Sequence, residues 1–189
     1  MVIVTGFPQD YENWTKPLLE DLARYEPLER VVYEESIRGE GSWAIDLNKA
    51  AESFEDEWLT VLNNDSRCIG PFKELYSRLP RYVLMGKQLK TGGGLRWLEG
   101  ACLVMHKNIW EKVGLFDENL KRAGLTDVDY SLRAELAGFE LGEVSSLPFE
   151  HLYYSPQYHV KGVWDTFREN QKYFRRKYRL APEWRLYAD

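Results

Sequence analysis

A chain of 189 residues with 44% hydrophobic and 29% charged residues has the make-up of one folded domain, which excludes a disordered polymer. A formal charge of −5 argues against a dedicated nucleic-acid binder, and no run is long and apolar enough to span a bilayer. The opening MVIVTGFPQD has neither a basic leader nor a long apolar core, so a cytoplasmic protein is expected. Cys68 and Cys102 stand far apart with no Cys-x-x-Cys pair, a pattern of buried free thiols. Twelve Tyr and seven Trp supply core area and stacking surface for flat or sugar-like ligands.

Val2–Thr5 reads as a first strand that ends at Gly6, with Pro8 beyond it. Trp14, Leu18, Leu19, Leu22 and Ala23 have helical spacing and predict a helix to Tyr25, with Pro17 tolerated near its start. Arg30–Tyr33 opens a second strand that delivers Glu34, Glu35 and Ser36 to its C-terminal end, as a solvated edge or a polar ligand site. Residues 37–42 read as a loop, and Trp43–Phe54 as a helix with Asn48 inside it, where asparagine has no propensity advantage. Trp58–Leu62 is β-rich enough to be a buried strand, and it stops abruptly at Asn63-Asn64-Asp65-Ser66. Such an end suits either an Asx-rich turn capping backbone amides or a carboxylate held rigidly against a cation. A helix over Phe72–Arg78 and a strand over Tyr82–Met85 follow. This alternation predicts an α/β fold with a mostly parallel central sheet covered by helices on both faces.

Lys90–Gly94, KTGGG, lacks the phosphate-loop pattern and reads as a flexible segment. Gly100–His106 is a strand whose small first residues suggest close approach to another backbone or a ligand. Lys107–Val113 is a short helix with Gly114 as its cap. Tyr130, Leu132, Arg133, Leu136 and Ala137 predict a helix that Thr126 or Asp127 can cap, with Asp129 and Arg133 paired along one face. Leu141–Leu147 is a last strand. Of the three histidines, His151 is the ligand candidate, while His106 belongs to an apolar strand and His159 to a loop. Residues 1–160 form the main domain; residues 161–189 form a helix docked on it or extending from it. Arg168, Lys172, Arg175, Arg176, Lys177 and Arg179 give that helix a basic face, either solvated or in peripheral contact with the inner, anionic membrane surface.

These segments in this order resemble the nucleotide-sugar-dependent glycosyltransferases of the GT-A fold, most closely the inverting family 2 group that includes rhamnosyltransferases. The resemblance runs from Val2 to about His151, in a chain shorter than typical members. It rests on Val2–Gly6, Tyr33-Glu34-Glu35-Ser36, Leu62-Asn63-Asn64-Asp65, Gly100–Met105, Gly114–Glu118 and the run from Thr126 to Arg133. Glutamates stand where the family has Asp-Asn after the second strand, and Thr126 stands where it has Glu.

The resemblance implies a single GT-A domain and transfer of a sugar from a nucleotide-diphosphate donor to an acceptor hydroxyl with inversion. It implies Asp127 as catalytic base; Asn63, Asp65 and His151 as ligands of Mn or Mg; and Thr5, Gly6, Glu34, Glu35, Asn48, Asn64, Asp65, Gly100 and Arg133 around the donor. Asp129 is a second candidate base, and Glu99 and Asp117 are candidates on the acceptor side or behind the site. The implied acceptor is a glycan, a lipid-linked molecule or a protein. Two other readings use the same kind of sheet: a nucleotidyltransferase that makes sugar nucleotides, and a noncatalytic nucleotide-sugar or carbohydrate-binding protein.

Overall fold

The computed structural model describes residues 1–6, 10–27, 31–35, 42–121, 124–152 and 162–186. Its centre is a six-stranded sheet formed by β1 (Val2–Gly6), β2 (Val31–Glu35), β3 (Trp58–Asn63), β5 (Val83–Gly86), β8 (Cys102–His106) and β9 (Glu140–Glu143). The spatial order is β2-β1-β3-β8-β5-β9. Five strands run one way, and β8 alone runs antiparallel to both of its neighbours. The fold is therefore α/β with a mixed, mostly parallel sheet, as the alternation predicts.

Alternate residues of the strands feed two cores, one on each face. Leu59, Val61, Leu103 and Met105 face helices α2 (Trp43–Ala50), α4 (Lys107–Val113) and α5 (Thr126–Leu136). Trp58, Leu62, Cys102 and Val104 face α1 (Lys16–Tyr25) and α3 (Phe72–Tyr76). Each large apolar side chain so buried stabilises the fold by about 1.5–3 kcal/mol before entropy is set against it. Pro17 stands in the first turn of α1, and a single π turn over Tyr11–Thr15 precedes that helix. α2 stops at Ala50 and a 3-10 turn over Ala51–Ser53 completes the longer helix expected there.

Two pairings lie outside the periodic pattern. β4 (Ser66–Cys68) pairs antiparallel with β10 (Phe149–His151), which brings His151 opposite Ser66. The strand predicted over Leu141–Leu147 is shorter, ending at Glu143, and β10 is an additional strand beyond it. The KTGGG run is not a loose segment but the turn of a hairpin, β6 (Leu89–Gly92) against β7 (Leu95–Leu98). Gly93 and Gly94 have φ of 56° and 77°, the successive positive values that a two-residue turn between twisted strands demands.

A third core joins this hairpin to α6 (Val163–Tyr178) and the segment after it, through Trp97, Leu120, Leu125, Val128, Phe174 and Leu186. Trp184 donates its Nε1–H to the Gly93 carbonyl at 2.7 Å. The basic face of α6 is accordingly less open than its sequence suggests. Lys177 turns to Asp117 and Asp129, Arg175 to the Pro182 carbonyl, while Arg168 and Lys172 pair with Asp165 and Glu169. Among the described residues no helix is long and apolar enough to cross a membrane.

Candidate active site

From β1 the chain moves out to β2 on one side and then crosses back to β3 on the other, so the switch point of the sheet lies between β1 and β3. Crevices at the C-terminal strand ends of such a point are where open α/β sheets bind ligands. The register gathers most of the expected residues there. Thr5 lies beside Glu34 and Asn63, and Gly6 beside Glu35. The Asn63 amide bonds to the Ala101 carbonyl at 3.0 Å, which carries the same edge across to Gly100.

Gly6 is a glycine because of what stands against it. A Cβ there would lie 2.6 Å from Asn64 Nδ2 and 2.8 Å from Thr15 Oγ1. Asn64 is buried and donates that same Nδ2 to Thr15 at 3.1 Å, so these three residues lock the end of β3 onto the start of α1. Thr15 carries no motif and was invisible in the sequence.

Asp65 is buried and its Oδ2 lies 3.2 Å from His151 Nε2. The contact spans 86 residues and follows from the β4–β10 pairing. Glu99 Oε2 faces the other ring nitrogen of His151 at 3.8 Å, and Glu99 Oε1 holds Lys90 Nζ at 2.5 Å. The next residue, Gly100, donates its amide to Asp127 Oδ2 at 3.0 Å, and the Val128 amide takes Asp127 Oδ1 at 2.9 Å. A Cβ on Gly100 would meet Trp43 at 3.1 Å and Asp127 Cβ at 3.2 Å, so only glycine lets this backbone slip between them. The segment from Glu99 to Ala101 thus touches Asp127 directly and faces Asp65 through His151.

Neither Thr126 nor Asp127 caps α5. The cap residue is Leu125, in the left-handed region at φ 70°, directly after Gly124 at φ 109°. Strained backbone of this kind persists only where its surroundings fix it, here burial of Leu125 in the third core. It turns Asp127 out of the helix end toward Gly100. Burial pushes the Asp127 carboxyl above the usual range, offset in part by the amides of Gly100, Val128 and Asp127 itself, and the nearby charge of Glu99 adds to the rise.

Three other candidates are spent inside the fold. Asn48 donates to the Phe116 carbonyl and to Glu118, and accepts the Phe116 amide, so it ties α2 to the loop before α5. Arg133 binds Asp129 at 2.8 Å and the Val113 carbonyl at 2.8 Å. Asp117 accepts from Lys177, Tyr173 and Asn119. His106 packs on Trp58 and faces Glu57, while His159 lies outside the described residues. Cys68 and Cys102 are buried free thiols.

Cation binding can be tested against this donor set. Adjacent ligands at about 2.1 Å from an octahedral cation are about 3 Å apart, close to the Asp65–His151 separation. One carboxylate oxygen and one imidazole nitrogen suit Mn better than a purely oxygen-loving ion. Among the described residues no three His, Cys, Asp or Glu side chains form a metal cage, so the other positions would fall to donor phosphates and water.

No protein-family model and no curated protein sequence matches the chain. Solved structures do. Drosophila β1,4-galactosyltransferase 7, in complex with manganese, UDP-Gal and xylobiose, superposes with a TM-score of 0.59 at 14% identity, over 85% of this chain and 73% of that one. The mannosyltransferase PcManGT from Pyrobaculum calidifontis, with GDP-Man and Mn2+, gives 0.61 at 12% identity, over 82% and 57%. Staphylococcus aureus TarS 1-349 with UDP gives 0.57 at 15%, over 89% and 64%. The chain spans under two thirds of the latter two proteins. The fold is the GT-A-like fold of nucleotide-sugar glycosyltransferases.

Proposed function

We propose that this protein transfers a sugar from a nucleotide-diphosphate donor to an acceptor hydroxyl with inversion, using Asp127 as base and Asp65 with His151 on the donor's diphosphate side. The observation that supports it is the Glu99–Ala101 segment, which holds Asp127 by the Gly100 amide and faces the Asp65–His151 pair through Glu99.

The backbone register sets Thr5, Gly6 and Asn63 side by side with the end of β2 at Glu34 and Glu35, and in this reading a nucleoside lies along these strand ends. Asp65 and His151 would hold a divalent cation, Mn or Mg, which when bound offsets the charge developing on the leaving diphosphate. Asp127 is partly exposed, so an acceptor hydroxyl can reach it, and the Gly100 and Val128 amides aim its oxygens, with no cation among the described residues paired to it. Its raised proton affinity makes it the better base for that hydroxyl, and removal of the proton as the oxygen attacks the anomeric carbon fits a single displacement with inversion. The acceptor class in this reading is a glycan, lipid-linked or protein hydroxyl. Peripheral membrane contact would rest on the outward arginines of α6, Arg176 and Arg179.

The test is a screen of UDP-, GDP- and dTDP-sugars for binding and turnover with Mn2+ or Mg2+. Release of the nucleoside diphosphate with a glycosylated product is expected. Pyrophosphate release from a nucleoside triphosphate and a sugar phosphate would establish nucleotidyl transfer instead; binding without any turnover would leave a sugar-nucleotide-binding protein.

A further inference from the structure

Glu99 belongs to no motif that marks the strand ends, yet it stands at the contact between the two halves of the site. Its backbone amide is tied to the Gln88 carbonyl at 3.0 Å, so the base of the β6–β7 hairpin fixes where its side chain begins. One carboxylate oxygen is taken by Lys90 at 2.5 Å, and the other faces His151 Nδ1 at 3.8 Å. The Glu99 side chain is 17% exposed and that of His151 9%. His151 Nε2 points the opposite way, to Asp65.

We infer that Glu99, held by Lys90, is a positioning residue that sets the ring of His151 for cation binding. This inference rests on the cation reading of Asp65 and His151. A carboxylate opposite one imidazole nitrogen keeps the proton on that nitrogen and leaves the lone pair of the other free to bind a cation. Glu99 stands ready to do this for Nδ1, which is buried and 3.8 Å away, so a shift of under about 1 Å closes the hydrogen bond and makes Nε2 the ligand atom beside Asp65. Lys90 has the complementary task. Without its ammonium, Glu99 would be a half-buried anion next to Asp65 and Asp127 and would turn outward to water. The hairpin that reads as a flexible glycine run is then the support of the donor site, and Trp184 and Leu186 brace it from behind.

The test uses the full chain and Mn2+ alone. Free Mn2+ is counted by electron paramagnetic resonance during titration, and nitrogen coupling to bound Mn2+ is read by pulsed measurement. The wild-type protein is expected to bind Mn2+ with an imidazole nitrogen signal. Asp65→Ala and His151→Ala should weaken binding strongly, and the latter should remove the signal. Glu99→Ala should weaken binding about 10- to 100-fold and diminish the signal, at unchanged far-ultraviolet circular dichroism. Lys90→Met should move both readouts the same way by less, and Glu99→Gln, which keeps an acceptor for Nδ1–H, should restore part of the loss. Wild-type affinity and nitrogen coupling in Glu99→Ala, with binding lost in His151→Ala, would overturn the positioning role and leave the cation site standing. Equal affinity in wild type, Asp65→Ala and His151→Ala would overturn the cation reading and this inference with it. Should Glu99→Ala fail to fold, the Glu99→Gln and Lys90→Met pair decides: unchanged nitrogen coupling in both refutes the inference.

Discussion

Asp127 and Asp129 stand two residues apart at the start of α5, in surroundings with opposite consequences. Asp129 is fully buried and meets three donors: Arg133 at 2.8 Å, Lys177 at 2.5 Å and the Tyr178 hydroxyl at 2.7 Å. Asp127 is partly open and held by backbone amides, with no cation among the described residues paired to it. A carboxylate surrounded by cations has its charge satisfied and serves the fold. One held only by amides at raised proton affinity keeps its capacity to accept a proton. The same turn thus carries one group that fastens α6 to α5 and one whose contacts in the described structure are backbone amides.

The comparison can be broken most decisively at Asp127. Asp127→Asn is expected to lower turnover of a nucleotide sugar about 100- to 10,000-fold, with donor binding and melting temperature little changed. Full turnover by the folded variant would end its role as base. Asp129→Ala should do the reverse. It takes the carboxylate away from Arg133, the Tyr178 hydroxyl and Lys177, which keeps Asp117, and is expected to cost about 3 kcal/mol of stability, read as a shifted denaturant midpoint. A loss of turnover without loss of stability would exchange the roles of the two aspartates.

Acid should separate the regions next. Burial alone would raise the Asp117 carboxyl, but Lys177, Asn119 and Tyr173 outweigh it and hold it well below the ordinary range. Its contribution to stability is complete above the unfolded value of 3.8 and drains away as pH falls below it. Asp127 is shifted the other way, so its ionised form costs stability at neutral pH and the cost is relieved on acidification. Activity is therefore expected to fall on the acid side at a pH above the ordinary aspartate value, while the fold is still intact. Coincident loss of activity and of circular dichroism would contradict this. The smallest effect concerns the outer face of α6: Arg176→Glu with Arg179→Glu should reduce partition onto anionic liposomes roughly tenfold, and unchanged partition would dispose of membrane contact. Deleting α6 is the wrong test, because Phe174 belongs to the third core and Lys177 pairs with the buried Asp129.

Whether a feature was legible depended on how far its partners lie along the chain. The strands at Val2, Trp58 and Cys102 and the helix from Thr126 are visible because their burial repeats at local periods. The Asp129–Arg133 pair is visible for the same reason, being four residues apart. The hairpin at Gly93-Gly94 was missed because a glycine run shows freedom and not the turn that consumes it. Lys177 looked solvated because a helical wheel shows no carboxylates lying 48 and 60 residues away.

From the sequence alone come the α/β alternation, the strand end at Asn63-Asn64-Asp65 and the carboxylates opening α5, since each is written in a few neighbouring residues. The reversed direction of β8, the meeting of Asp65 with His151 and the post of Glu99 between His151 and Asp127 belong to the tertiary structure. The physical reason is that strand direction and side-chain convergence depend on which distant backbones pair, and hydrophobic periodicity records which face is buried but not what lies against it.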